Sequence, residues 1–276
     1  MTKFLMISIS CAWIGIAVFV YFYQSRLIFL PNKELTTTPA DLGLAYVDVA
    51  IPTTDGEVLH AWFVPHPTAS ASVLFLHGNG GNISDRLLTL ARLHEMQLNV
   101  LMLDYRGYGR STGKPSAQGT FLDAQAGWNY LINEQDEQRD NIVVYGRSLG
   151  GAVAVELASR MRPRALIIES TFTSIADMAS DIYPYLPTRM LLRHKYPSIK
   201  TIVRISVPLL VAHSTDDELI PLRHGQRLFE VAPEPKQFYR LVGSHNQAFT
   251  ESGQMYYNTL SQFIHGAGDD SVIDDH

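Results

Sequence analysis

The chain of 276 residues holds a single cysteine, Cys11, so no intrachain disulfide framework can brace it. Neither C-x-x-C nor H-E-x-x-H occurs, and no His/Asp cluster stands at metal-ligand spacing, so no metal is implied. Lys and Arg number 22 against 27 Asp and Glu and form no basic run; a net charge of −5 leaves no footprint for nucleic acid. G-x-G-x-x-G and Walker patterns are missing, which removes the usual phosphate cradles, and no cofactor is expected. No repeat at a period of about 20–50 residues argues for a solenoid. What the chain does have is 46% hydrophobic residues, enough to bury one large core. At this length a single domain with an appendage is the expectation.

The appendage is at the start. Residues 4–23, FLMISISCAWIGIAVFVYFY, carry no charge, and as a helix these positions reach about 30 Å, the thickness of a bilayer core. The run ends in bulky aromatics suited to a membrane interface, not in a small-x-small cleavage site, so a single-pass, uncleaved anchor over residues 1–25 is expected. Lys3 on one side nearly balances Arg26 and Lys33 on the other, which leaves the side of the membrane undetermined. Residues 26–43, rich in Pro and Thr, read as a linker, residues 44–265 as the globular domain, and residues 266–276 as an acidic tail.

Within the domain, apolar runs alternate with helix-spaced segments. Residues 45–51 and 58–64 flank Asp55-Gly56, a hairpin signal. Apolar runs at 72–77 and 99–104 read as buried strands, those at 142–145, 165–168 and 207–212 as further short strands, and 237–242 as the last one. Helical spacing is seen over 83–96, 121–133 and 247–264, and behind residue 148. This alternation predicts an α/β fold with a mostly parallel central sheet covered by helices on both faces. Residues 171–206 break the rhythm with aromatics, Met and Leu among prolines: a small cap or lid, or an elaborate surface loop.

The chemistry concentrates at Gly146-Arg147-Ser148-Leu149-Gly150. In G-x-S-x-G a serine sits on a tight turn between strand and helix, with its hydroxyl exposed above the sheet edge. A serine nucleophile needs a base, an acid and oxyanion donors. On such a sheet, acid and base follow the serine in that order, each in a loop after a strand. Asp216 and Asp217 follow the strand PLLVAH, and His245 follows QFYRLV. His213 precedes the acid and His224 lies in the intervening helix, which makes them poorer bases. The backbone N–H groups of Leu149 and of Asn79, in the loop HGNGG, are the expected oxyanion donors, with His77 holding that loop.

Five motifs in this order, HGNGGNIS (77–84), DYRGYGRSTG (104–113), YGRSLGG (145–151), DDELIP (216–221) and GSHN (243–246), resemble the α/β-hydrolase superfamily. In particular they are similar to the membrane-anchored Bem46 group of serine hydrolases, over nearly the whole of residues 27–264. The family pattern D-x-x-[VI]-P matches Asp217 to Pro221 and so favours Asp217 as the acid; Ser214 departs from a position where the family often has glycine. The resemblance implies hydrolysis of an ester or thioester, with a lipid-like acyl group favoured, on a triad of Ser148, Asp217 and His245. The rivals are a serine peptidase of the aminopeptidase kind on the same fold, and a non-catalytic membrane scaffold.

Overall fold

Six consecutive buried residues in a strand require cover on both sides, and β4, Ala71–Leu76, is such a strand. Its alternate side chains go to different layers. Leu74 and Leu76 join a core that includes Trp128, Leu131, Val153 and Leu157, while Val73 and Phe75 join one with Leu90, Leu93, Tyr256 and Leu260. In the computed structural model, which describes residues 2–267, β4 lies inside an eight-stranded sheet. The other strands are β2 (Val47–Pro52), β3 (Val58–Val64), β6 (Leu98–Leu103), β7 (Ile142–Arg147), β8 (Ala165–Glu169), β9 (Leu209–Ser214) and β10 (Lys236–Leu241). Their spatial order is β10-β9-β8-β7-β4-β6-β3-β2. Strands β4 and β6 to β10 pair in parallel, and β2 and β3 form the antiparallel hairpin at one edge. Helices α2 (Leu87–Glu95) and α10 (Gly253–Gly266) cover one face; α3 (Ala117–Glu134), α4 (Leu149–Met161) and α8 (Arg223–Val231) cover the other. The fold is α/β, as the alternation predicts.

Several boundaries differ from the sequence expectation. Residues 83–96 split into a 3-10 turn, Ile83–Arg86, and α2. Helix α3 begins earlier, because the Ser116 hydroxyl caps it by accepting the Gly119 amide. The last helix is broken into α9 (Ala248–Glu251) and α10, where Gly253, the first residue of α10, takes φ +59. The apolar N-terminal helix α1, Thr2–Ile28, runs three residues beyond position 25 and is long and apolar enough to cross a membrane. The following segment is no free linker. Its strand β1, Leu30–Pro31, pairs with β5, Gly80–Gly81, in the loop after β4. Residues 171–206 contain three short helices, α5 (Ile175–Ile182), α6 (Thr188–Leu191) and α7 (Ser198–Thr201). The acidic tail expected at 266–276 falls outside the described residues beyond Ala267.

Candidate active site

The turn between β7 and α4 forces Ser148 to φ 53 and ψ −119, a conformation that costs about 1–3 kcal/mol for a residue with a Cβ. The chain is held there from both sides. The Ser148 amide donates to the Glu169 carbonyl at 2.8 Å, and its carbonyl accepts the Thr171 hydroxyl at 2.7 Å. No side chain larger than hydrogen fits on either flank: a Cβ on Gly146 would collide with the Gly150 carbonyl, and one on Gly150 with the Leu76 carbonyl. The G-x-S-x-G spacing is thus a packing requirement of strand and helix crossing closely.

Loops at the same end of the sheet bring the other groups to it. His245 Nε2 lies 3.1 Å from Ser148 Oγ, and its Nδ1 lies 2.7 Å from Asp217 Oδ2. All three side chains are buried. Asp217 Oδ1 accepts the amides of Leu219 (3.0 Å) and Ile220 (2.7 Å). Burial works to raise the Asp217 carboxyl, but the hydrogen bond and charge of His245 and the Ile220 amide outweigh it and hold the group below its ordinary value. An ionised Asp217 can only accept, so Nδ1 carries the imidazole proton and Nε2 is left to accept from the serine hydroxyl. Asp216 is turned the other way, its carboxylate accepting the Gly243 amide at 3.3 Å. Ser214, at the position where glycine is common, has a local use: its hydroxyl donates to the Gly243 carbonyl and accepts the Asp216 amide at 3.1 Å, pinning the acid loop to the histidine loop.

Gly78 packs against Ser148, with space for a Cβ only 3.4 Å from the serine Cβ, and Asn79 follows it. Among the described residues the backbone N–H groups of Leu149 and Asn79 donate to no acceptor. His77 does hold this loop: its Nδ1 meets the Gly78 carbonyl at 2.6 Å, its ring packs on Tyr105, and its Nε2 faces buried Asp104 at 3.5 Å. The two rival histidines are braces. His213 Nε2 donates to the Ile220 carbonyl at 2.7 Å, 3.6 Å from Asp217, and burial lowers its pKa so that it stays neutral. His224 ties Asp181 of α5 (2.7 Å) to Thr173, and burial, against the pull of Asp181, likewise lowers it.

Sequences similar to this chain occur in a plant and in a yeast. The α/β-hydrolase domain-containing protein WAV2 of Arabidopsis thaliana is 35% identical over 277 residues, covering 91% of this chain and 90% of that one. The chain is a Bem46-like α/β hydrolase. The family described as serine aminopeptidase, S33 matches residues 67–201. An uncharacterized membrane protein of Saccharomyces cerevisiae is 31% identical over 258 residues, covering 89% of this chain and 90% of its own. In structure, an esterase of Pyrococcus furiosus superposes with a TM-score of 0.74 at 20% identity, over 88% of this chain and 98% of that one, a likeness of fold.

In this Bem46-like hydrolase two cavities meet at the serine. One, of about 180 Å³, is apolar, with Ile28, Leu149, Phe172, Ile175 and Met178 in its walls. The other, of about 520 Å³, is more polar and is lined by Gly80, Asp85, Arg86, Arg147 and Asn246. Asn79, Ser148, Leu219 and His245 border both. Among the described residues no group of three or more His, Cys, Asp or Glu is placed to hold a metal.

Sequence reasoning missed three supporting residues. Arg147 donates to the carbonyls of His245 (2.8 Å) and Asn246 (2.9 Å) while its Nε faces buried Glu169 at 3.1 Å. It occupies the free position of G-x-S-x-G, where the pattern carries no information. Glu218 accepts the His245 amide at 2.9 Å. Gln24 of α1 is completely buried and ties that helix to the cap.

Proposed function

We propose that this α/β hydrolase is a serine esterase or thioesterase acting on a lipid-like acyl group through an acyl-enzyme. The observation that carries this reading is the continuous hydrogen-bonded line from Asp217 through His245 to Ser148, ending where the apolar and polar cavities meet. Ser148 Oγ attacks the acyl carbonyl as His245 Nε2 takes its proton, and Asp217 holds the imidazole and balances its charge. The oxyanion forms against the N–H groups of Leu149 and Asn79, which have no competing acceptor among the described residues. His245 then protonates the departing oxygen or sulfur on the polar side. Water, deprotonated by the same nitrogen, releases the acid from Ser148. The acyl chain lies in the apolar cavity under the cap, residues 171–206, and α1 holds the domain at a membrane.

The test combines a fluorophosphonate probe with a series of p-nitrophenyl esters from acetate to decanoate, below their micelle concentrations, and aminoacyl-nitroanilides. Labelling that disappears in Ser148→Ala is expected. Each methylene buried adds up to about 0.8 kcal/mol, roughly fourfold in kcat/KM, until the cavity is full. Faster cleavage of the anilides would move the assignment to a peptidase, the activity that the matched family's description names. No labelling and no turnover would leave a scaffold.

A further inference from the structure

The cap is docked along α1. The Gln24 side chain donates to the Leu191 carbonyl at 3.3 Å and accepts the Arg193 and His194 amides at 2.6 and 3.3 Å. Eleven positions earlier, the Trp13 indole donates to the Tyr185 carbonyl at 3.4 Å. At 1.5 Å per residue these two contacts are roughly 16 Å apart along the helix axis. The chain from 191 back to 185 therefore descends beside α1 toward its N-terminus. The helix records this contact: Ala17, Val20, Gln24 and Ile28, spaced three and four apart, are less exposed than the residues around most of its circumference.

What descends is apolar and uncovered. Residues 182–188, IYPYLPT, carry no charge, and Tyr185 and Met190 are 67% and 84% exposed. A run of exposed aromatic and aliphatic side chains of this kind marks a contact surface. The charges on either side of it are paired, Asp181 with Arg223 and His224 at 2.7 Å each and the largely exposed Arg189 with Asp177 of α5 at 2.9 Å, and Arg193 lies over the Tyr21 ring at 5.0 Å, toward the C-terminal end of α1 where lipid headgroups meet a spanning helix.

We propose that residues 182–191 enter the lipid bilayer beside α1, and that the membrane is the partner of this surface. The inference rests on the reading of α1 as a membrane anchor. Because Trp13 sits about 15 Å inside the end of the uncharged run at Tyr23, a segment touching both Trp13 and Gln24 lies within the apolar layer that α1 crosses. The cavity at Ser148 has Leu27, Ile182 and Leu219 at its rim, each about half exposed, so its mouth opens at the edge of that layer. An acyl chain reaches Ser148 laterally from the bilayer without crossing water, and a chain longer than the cavity of about 180 Å³ leaves its end among the lipids.

The experiment places a single environment-sensitive NBD label on the full-length chain in a Cys11→Ser background. The chain is reconstituted in phosphatidylcholine and phosphatidylglycerol vesicles in which one lipid carries a nitroxide on its acyl chain. Labels go at Met190→Cys, at Phe22→Cys as a report on the anchor, and at Asp140→Cys before β7. Loss of emission at 190 comparable to that at 22, with 140 unaffected, is the expected result. Tyr185→Cys repeats the measurement should the label at 190 disturb the fold. Quenching at 22 but not at 190 or 185 overturns the inference alone and turns the apolar segment toward a protein contact. Absence of quenching at both 22 and 190 overturns the anchor reading and the inference with it. Equal quenching at 190 and 140 overturns it as nonspecific.

Discussion

Asp216 and Asp217 are neighbours with opposite surroundings. Asp217 faces His245 at 2.7 Å, whereas Asp216 faces the backbone of Gly243. Asp217→Asn is therefore expected to lower kcat by about 10⁴-fold, since the imidazole loses both its tautomer control and its counter-charge, while Asp216→Asn costs far less. Steady-state kinetics on the two variants decides, and a more severe Asp216→Asn would reverse the assignment. The acid range offers a second readout. A carboxyl held below its ordinary value in the fold adds stability that is present above the unfolded value and is lost as pH falls through the folded one. The gap in Tm between wild type and Asp217→Asn should accordingly close on acidification below about pH 4. Arg147 makes a different prediction, because it serves two partners. Arg147→Met leaves Glu169 buried without its cation and frees the His245 loop, so both Tm and kcat should fall, stability by about 3 kcal/mol. Adding Glu169→Gln should recover Tm and not kcat, since the His245 and Asn246 carbonyls remain without their donor; recovery of both would mean that Arg147 acts only through Glu169.

At the scale of elements, the cap depends on a helix that precedes it by about 170 residues in sequence. Removing residues 1–25, or Gln24→Leu alone, leaves the Arg193 and His194 amides without their acceptor, at about 1–3 kcal/mol for each group left buried. Limited proteolysis should then cut between 183 and 195 while the sheet domain survives. Unchanged resistance would show the cap to be held by α5 and the His224 brace alone. The sequence reveals some elements better than others, and the reason is range. Strands β4, β6 and β7 are buried on both faces and betray themselves by unbroken apolar runs. The serine turn is a local pattern and marks Ser148, and His245 stands out as the histidine in a loop after the last strand; between Asp216 and Asp217 the residues alone do not choose, and only the family resemblance at D-x-x-I-P favours Asp217. Gln24 carries no local signal, because its partners lie at 191–194. The pairing of Leu30 and Pro31 with Gly80 and Gly81 is two residues long, too short for any periodicity. Helical spacing over 121–133 misses the first turn of α3, which includes Gly119, a poor helix former that makes room for the Arg106 side chain.

The whole molecule combines a charge-bearing domain with one helix that holds an uncharged run over residues 4–23, and these pull its partitioning in different directions. Surface charge is screened by salt, but burial of some twenty apolar residues in hydrocarbon is not. The full-length chain is therefore expected to sediment with membranes through a high-salt wash and to be released by detergent. Recovery in the soluble fraction with an intact N-terminus would refute the anchor reading. The short ladder between β1 and β5 then acquires a meaning beyond packing. With α1 in a bilayer, its own hydrophobic length fixes its height. Only Phe29 separates the helix from β1, which is bonded directly to the loop that carries Asn79. No slack remains between the two, so Ser148 stands at a set elevation relative to the lipid. On the function proposed above, the site would act as a depth gauge: of two equivalent acyl bonds in an amphiphile, the one whose carbonyl floats at that level is expected to be cut first, with immersion rather than shape setting the choice.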